Sequence, residues 1–514
     1  IHNIVTVIRL LQIGGPSLCA GYYSLWSESD SAHNTVSILS IFFHLIPPSG
    51  RDVASVYFLV IYIIILVLLL TLLFVSAVVY RKSANLPDIV PPIISFYFAS
   101  FGVILHPIAF ELAFSELGRA IFEKSTYSVA PLAILFVISF AISLFYFWIF
   151  LMIAQQSIMF RPNSLLTVCS QPQTITFVLQ LVITVFTGFP ETLTDKTQFQ
   201  GVMLVIAGIA YFASIYNAFF YGGIVSPTMT AAFLATCITS GISCLMFAII
   251  LFMKKKAGLI FVIVYIILFI VVFVVSMIIW NKKRTKHLQI LDGILDDVSR
   301  FDDIRSVNNF VNLAVDGFYV AHPVCLNWQF LKLGIEKWPE NQITWFIYAK
   351  FVSIYPEETQ TLAWIFRMIV TKKVKGSSAK TVKEQSLTIA RQREPNLSTD
   401  LKSKLNSVSK HVTSTKHKLR HVWDLAIQGN INDMEAATKR AIQEIEKSDA
   451  ELLHVIHQFP NNRFVTRQYG RFCRELKADR QAYLDMIEKT RMLQRGITVN
   501  KDQAHEFGLA VFHQ

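Results

Sequence analysis

The first half of the chain is dominated by apolar stretches about as long as a helix that crosses a lipid bilayer. Seven of them qualify: Val56–Tyr80, Pro91–Ala113, Ala130–Met159, Thr174–Phe189, Gly201–Tyr221, Thr230–Met253 and Leu259–Trp280. A helix needs about 20 mostly apolar residues to cross the hydrocarbon core, so residues 56–280 are predicted to form a polytopic membrane domain. After Trp280 the sequence becomes charged and helix-rich, and residues 281–514 are predicted to form a soluble helical part. The expected fold class is therefore all-α.

The N-terminal residues 1–55 contain two shorter apolar stretches. Ile4–Ile13 carries Arg9 and Gln12, which predicts an amphipathic helix lying along the membrane surface. Val36–Ile46 is short for a span, and an eighth span, a re-entrant piece or an interfacial helix would all fit it. We therefore expect about seven to nine crossings. Because the chain begins at Ile1 and shows no signal peptide, we expect the natural N-terminus to lie further upstream.

Charge is distributed unevenly between the two parts. Charged residues make up 16% of the chain, against roughly 25% in soluble proteins. Residues 1–280 contain 11 Lys/Arg and 9 Asp/Glu, whereas residues 281–514 contain 36 and 26. The exit from the membrane carries these basic residues: Lys282, Lys283, Arg284 and Lys286. By the positive-inside rule the soluble part is predicted to be cytoplasmic, although the lysines at 254–256 then fall on the opposite side and disagree with the rule.

Few polar side chains lie within the apolar stretches, and those present form a candidate intramembrane polar site. Its members are His106, Glu111, Gln155, Gln180 and Asn217. Ionisable groups at membrane depth are costly and often functional, which makes His106 and Glu111 candidates for a pH-sensitive joint. In the structural alternative a helix carbonyl satisfies His106, Glu111 lies at headgroup level, and the amides form interhelical hydrogen bonds. No stretch carries a ladder of carboxylates or arginines, which argues against a proton pump or a voltage sensor.

The soluble half contains an internal repeat at an offset of 121 residues. Each copy reads aromatic-Pro-x-Asn and then a tyrosine and a phenylalanine: Trp338, Pro339, Asn341, Tyr348 and Phe351, and then Phe459, Pro460, Asn462, Tyr469 and Phe472. Proline fits the first turn of a helix and the aromatic pair shares one helix face, so each copy predicts an antiparallel helix pair. Tyr355-Pro356-Glu357 is a partial third copy that starts another helix. The spacing resembles half-a-TPR repeats, and a generic helical bundle that reuses one turn explains it equally well.

Two further segments complete the soluble half. Residues 372–400 are rich in Ser, Thr, Lys and Gln, which predicts a mobile linker between helical repeats at 281–371 and long helices at 401–514. A heptad seam begins the last part: Leu401, Leu405, Val408, Val412, Thr415, Leu419, Val422 and Ala426. The seam fits a parallel coiled coil between two protomers, and it fits slightly better an amphipathic helix packed on its own domain. A homo-oligomer is expected, with a dimer favoured.

No sequence motif identifies a catalysed reaction. The cysteines show neither metal-binding nor disulfide spacing, and we find no catalytic, cofactor-binding or metal-binding motif. The basic Ser/Thr stretch lacks interleaved aromatic residues for stacking bases, so anionic lipid headgroups are the expected partner and nucleic acid is not. Three function classes stay open: a membrane sensor that signals to the soluble half, an ion channel or transporter, and a scaffold for cytoskeletal or ciliary proteins.

The order of these features resembles the TmcB-like, or tiny macrocyst, membrane proteins of flagellated protists. The best match is the tail: Tyr469-Gly470-Arg471-Phe472, Asp479, Leu493-Gln494-Arg495-Gly496, Asp502, His505 and Phe507-Gly508-Leu509. Many relatives continue into PAS domains and a class III nucleotide cyclase. The resemblance therefore implies the membrane and coupling part of a signalling protein, in a plasma or flagellar membrane, with any catalysis in a domain beyond Gln514.

Overall fold

The computed structural model describes residues 2–26, 31–44, 46, 50–83, 86–122, 129–150, 156–161, 165–193, 195–220 and 224–512. Within these residues every regular element is a helix, and one isolated antiparallel bridge joins Thr167 to Ile224. The all-α prediction is confirmed. The long apolar runs explain why, because a helix satisfies all its backbone hydrogen bonds internally where water is absent.

Ten helices make up the membrane half of the described chain. They are α1 His2–Gly14, α2 Ser31–His44, α3 Arg51–Ser83, α4 Val90–Phe96, α5 Gly102–Phe122, α6 Val129–Phe150, α7 Gln171–Gly188, α8 Thr197–Phe220, α9 Pro227–Phe252 and α10 Leu259–Asp296. A π-helical turn, Tyr97–Phe101, joins α4 to α5. Among the described residues six helices are long and apolar enough to cross a membrane, namely α3, α6, α7, α8, α9 and α10. They fit a multi-pass membrane protein.

The predicted span at Pro91–Ala113 is helical but differs from these six. Its main helix, α5, carries Glu111, Glu116 and Arg119, and most of α5 is buried by α3, α6 and α7. The expected total of about seven to nine crossings exceeds the six apolar helices of the described residues because seven counted this charged, protein-enclosed helix and the higher counts added the N-terminal stretches. The short stretch Val36–Ile46 lies mainly in α2, whose 14 residues pack against α1 and α10.

Helix α1 does not lie along the membrane surface with its polar side in water, as its pattern predicted. Arg9 donates a hydrogen bond to Gln173 Oε1 at 3.0 Å, and Gln12 donates to the carbonyl of Ile104 at 3.0 Å. The side turned away from the protein is apolar: Ile4, Val7 and Leu11. The amphipathic pattern is real, but its polar face points into the bundle because hydrogen-bond partners are found there and not in lipid.

Eleven helices form the rest of the described chain. They are α11 Val307–Tyr319, α12 Pro323–Leu326, α13 Gln329–Lys337, α14 Gln342–Val352, α15 Thr359–Thr371, α16 Ser377–Arg393, α17 Thr399–Ile427, α18 Ile431–Gln458, α19 Arg463–Phe472, α20 Arg480–Gln494 and α21 Gln503–Val511. Two apolar cores hold them together. The first core is built by α11–α16, the end of α10 and α21, and the second core by α17–α20.

Both copies of the repeat form the same helix–turn–helix. Asn341 and Asn462 are the N-caps of α14 and α19, and each side-chain oxygen accepts the backbone N–H two residues on. Pro339 and Pro460 lie two residues before these caps, so the asparagines, and not the prolines, set the helix starts. The aromatic pairs are buried, one pair in each core: Tyr348, Phe351, Tyr469 and Phe472. A half-a-TPR architecture stays a prediction.

The stretch predicted as a mobile linker, 372–400, is largely the ordered helix α16. This helix packs on α14 and α15 and buries Ala379, Val382 and Ile389. The linker prediction is wrong here because it followed the polar composition. Three apolar side chains at helical spacing are enough to fix one face of an otherwise polar helix.

The heptad seam of α17 packs against α18 of the same chain, and the short connection between the two makes them an antiparallel hairpin. Thr415 and Ser448 hydrogen-bond across this contact at 3.0 Å. Near the tip Leu425 is buried and Ala426 is exposed, so the buried face leaves the predicted register.

A pair of tryptophan substitutions tests the first core. Trp345 is fully buried in α14 and donates its indole N–H to the Pro339 carbonyl at 2.8 Å, whereas Trp423 on α17 is 67% exposed. Trp345→Ala is expected to lower the free energy of unfolding by about 3–5 kcal/mol, and Trp423→Ala to change it by about 0.5 kcal/mol or less. Denaturant unfolding of the detergent-solubilised protein, followed by circular dichroism, measures both. Equal effects would contradict the core described above.

Candidate functional site

A small cavity lies inside the membrane half, between α1, α5, α6 and α7. Its volume is about 30 Å³, which is enough for about two water-sized molecules. Aromatic and aliphatic side chains form most of its wall. Its polar lining residues are Arg9, His106, Gln180 and Thr184. Apolar walls with a few converging polar groups are typical of sites for small molecules.

His106 is held in this wall by two tyrosines. The hydroxyl of Tyr62 hydrogen-bonds His106 Nδ1 and also lies 2.5 Å from Ser143 Oγ. The ring of Tyr146 lies 3.9 Å from the imidazole, centroid to centroid. Within the described chain His106 Nε2 has no hydrogen-bond partner. Among the described residues the imidazole is therefore hydrogen-bonded through one nitrogen only, while the Tyr146 ring packs against it.

The structure brings together two of the predicted intramembrane polar residues. His106 and Gln180 line the same cavity, and Gln180 Nε2 also has no partner among the described residues. Asn217 lies apart, beside a second small cavity, where its amide donates to two groups of α7 at 3.1 and 3.2 Å. This is the interhelical hydrogen bonding of the structural alternative. Gln155 lies outside the described residues.

Glu111 does not line the cavity with His106. It packs against Gly188 at the end of α7 and lies one turn of α5 before Ser115, which belongs to a buried polar group that sequence reasoning missed. There Arg51 and Glu191 form an ion pair at 2.6 Å with side chains 2% and 6% exposed, and Ser115 donates to Glu191 at 3.3 Å. Arg51 at the start of a long apolar helix was the available signal, because a buried charge needs a partner.

The second part of the site is the connection between α6 and α7. Its described residues, 156–161 and 165–170, enter the first core of the soluble helices, and we name them the docking segment. Ile158, Phe160 and Val168 are at most 1% exposed there. The predicted division of the chain at Trp280 therefore does not match the packing, because a membrane-half loop is a core element of the soluble half.

Side chains of the soluble helices hold the docking segment by its backbone. Lys350 donates to the carbonyl of Val168 at 2.9 Å. Ser353 donates to the carbonyl of Ile158 at 3.0 Å, and Gln385 Oε1 accepts the Ile158 N–H at 2.8 Å. Buried backbone groups are costly when unpaired. These contacts therefore specify one docked position for the segment.

Lys350 is a buried cation inside an aromatic helix. Burial lowers the pKa of its ammonium to about 8, with Cys169 raising this pKa and Arg161 lowering it. The rings of Phe160 and Phe346 lie 4.9 and 5.3 Å from its Nζ, and such cation–π contacts offset part of the lost hydration. Three of these five residues belong to the docking segment, so the surroundings of the ammonium depend on docking.

Hydrogen bonds connect the cavity to the docking segment. Arg9, which lines the cavity, donates to Gln173, and Gln173 Nε2 donates to the carbonyl of Leu165 at 2.6 Å. Leu165 has a left-handed backbone with φ of 52°, which costs about 1–2 kcal/mol for a non-glycine residue. Three residues further along the segment lies Val168, the acceptor of Lys350. One α7 side chain thus joins the two parts of the site.

The predicted membrane exit is part of one uninterrupted helix, since α10 runs from Leu259 to Asp296 without a break. Lys283 donates to a carbonyl in the last turn of α8 at 3.0 Å, and the Arg284 guanidinium lies 4.1 Å from a tyrosine ring of α11. Lys282 and Lys286 are exposed. The exit therefore has protein contacts as well as charge.

Comparisons with protein-family models, with curated proteins and with solved structures found no match. Among the described residues no group of His, Cys, Asp and Glu could hold a metal ion. Fold and site together define a multi-pass helical membrane protein in which soluble helices enclose one of the membrane-half loops.

Replacing Lys350 tests its burial through pH. The pKa of Lys350 is about 8 in the native state and 10.5 in the unfolded state. At pH values between these two, the unfolded state binds more protons than the native state. The contribution of Lys350 to stability therefore rises with pH in this range. The wild-type minus Lys350→Met difference in unfolding free energy is expected to rise by up to about 1.4 kcal/mol per pH unit. Denaturant unfolding at several pH values measures it. Lys375→Met, at an exposed position, is the control, and a flat Lys350 difference would contradict the burial.

Proposed function

We propose that this protein is a membrane sensor or coupling module that passes a change of helix packing in the membrane to its soluble helical half. The observation that carries the proposal is the docking segment, because residues from the α6–α7 connection lie in the core of the soluble helices. Packed cores are dense and shift between discrete arrangements. A displacement of α6 or α7 therefore has to move the soluble helices or release Ile158 and Phe160 from them.

The cavity is the proposed place where the stimulus acts. His106 and Gln180 each keep a polar atom without a partner within the described chain, and such atoms are costly at membrane depth. A small change there, such as a proton or a bound polar molecule, alters which helix arrangement is favoured. Arg9 and Gln173 then connect that change to the docking segment.

The last described helix, α21, is the proposed place where the signal leaves the soluble helices. Phe512, just after α21, lies 4.9 Å from Phe160 of the docking segment and 5.4 Å from Phe351, centroid to centroid. Arg393, whose side chain is 7% exposed, pairs with Asp502 at 2.6 Å, which fixes the start of α21. The resemblance to TmcB-like proteins favours a cytoplasmic output such as a nucleotide cyclase.

An ion channel or transporter is the alternative from another class. Such a protein needs polar residues along one route, whereas His106 and Gln180 line one cavity and Asn217 another. Arg9 and Gln173 lie between them with their side chains hydrogen-bonded to each other. Selective ion flux in liposomes containing the purified protein would favour this alternative over coupling.

A double-mutant experiment tests the coupling. Gln180→Leu, in the cavity, is expected to change hydrogen exchange in α14 of the protein in nanodiscs. Gln385→Leu leaves the Ile158 N–H unpaired and loosens docking by about 1–3 kcal/mol, so in that background the effect of Gln180→Leu on α14 is expected to shrink by more than about half.

Gln392→Leu is the matched control, because Gln392 is exposed and lies about two turns further along the same helix. The effect of Gln180→Leu on α14 is expected to persist in this background. An α14 response that is equal with and without Gln385, or no response at all, would show that the docking segment carries no coupling.

A further inference from the structure

A groove between α19 and α20 is lined by four arginines, and no carboxylate is among its described lining residues. The arginines are Arg467, Arg471, Arg474 and Arg491. The volume of the groove is about 360 Å³, which is in the range of sites for small ligands. The groove lies between two helices of the second core, and the coupling proposed above does not use it.

The arginines form an unusual pattern on α19 and on the π-helical turn Cys473–Lys477 that follows it. Arg463, Arg467, Arg471 and Arg474 follow one another at intervals of four, four and three residues, which places them along one helix face. Like charges at this spacing repel and weaken a helix. In the described chain Arg467, Arg471 and Arg491 have no ion pair, and Arg474 pairs with its neighbour Glu475 at 3.2 Å. Local carboxylates therefore leave most of this charge uncompensated.

The floor of the groove is narrow and polar. Gly470 lies where α19 meets α20, and a Cβ there would be 3.2 Å from the Cβ of Met486. Thr466 and Thr490 join their hydroxyls at 3.1 Å between the two helices. The close approach brings the arginine of α20, Arg491, to the same groove as those of α19.

We propose that this groove binds a small ligand or headgroup that carries more than one phosphate. Guanidinium groups present paired N–H donors that match phosphate oxygens. Several guanidiniums around one groove suit a polyanion better than a single carboxylate, because each added cation is repelled by the others until negative charge arrives. Soluble polyphosphates and phosphoinositide headgroups share this chemistry, and the site does not depend on the proposed coupling role.

Binding is tested with the full chain in phosphatidylcholine nanodiscs. One arm titrates inositol hexakisphosphate by calorimetry. The other arm compares nanodiscs that contain phosphatidylinositol 4,5-bisphosphate with nanodiscs of equal charge that contain phosphatidylserine, and reads hydrogen exchange in α19 and α20. Binding in the first arm alone assigns a soluble ligand, and protection in the second alone assigns a lipid headgroup. Absence of both overturns the proposal.

Substitutions locate the site. Arg467→Gln and Arg471→Gln are each expected to weaken binding about tenfold or more, and Arg471→Lys to recover part of the loss, since lysine keeps the charge but not the paired donors. All these positions are exposed, so thermal unfolding is expected to stay unchanged. Arg440→Gln, exposed on α18, is the charge-matched control. If Arg440→Gln weakens binding as much as Arg471→Gln does, the ligand is held by nonspecific electrostatic attraction and the proposal fails.

Discussion

The docking of a membrane-half loop into the soluble core is the constraint on which the rest of this structure depends. Lys350 gives up much of its hydration and receives the Val168 carbonyl and the Phe160 ring in return. Without the docking segment the same ammonium would face an apolar cavity, and a buried charge without partners is strongly destabilising. The first core is therefore complete only when the membrane half supplies part of it.

The polar groups inside the membrane half follow the same rule of pairing. Arg51 and Glu191 neutralise each other, and Arg9 finds Gln173. Because lipid offers no hydrogen bonds, each such pair fixes the relative position of two helices more strictly than apolar contacts do. In the cavity His106 and Gln180 retain polar atoms that no described protein group satisfies, as do some buried side chains elsewhere in the membrane half, Asn217 among them. His106 and Gln180 differ from these other side chains because they line one cavity with room for a small molecule, so a small stimulus there can change their pairing.

Periodicity and length predicted the membrane helices, the helix–turn–helix of the repeats and the helical character of the soluble half. These features are local, and each is determined by residues close together in the chain. The sequence could not predict that the polar face of α1 points into the bundle, because the same amphipathic pattern fits a membrane surface and a protein interior. Helix α16 was hidden by its polar composition. The contact of Lys350 with Val168 joins residues 182 positions apart, and no local pattern encodes such a partner.

Several attachments between the halves constrain their relative movement more than a single one would. A single continuous helix such as α10 allows the soluble half to swivel about its axis, and bending of that helix dissipates a movement. The docking segment adds an attachment at the start of α7, Val225 before α9 adds another, and together they fix the soluble helices against α7 as well as α10. A relative shift of these two helices must then appear as strain in the first core. Since α21 packs on the same core through Phe512, the strain reaches the last described helix without passing through the α17–α18 hairpin.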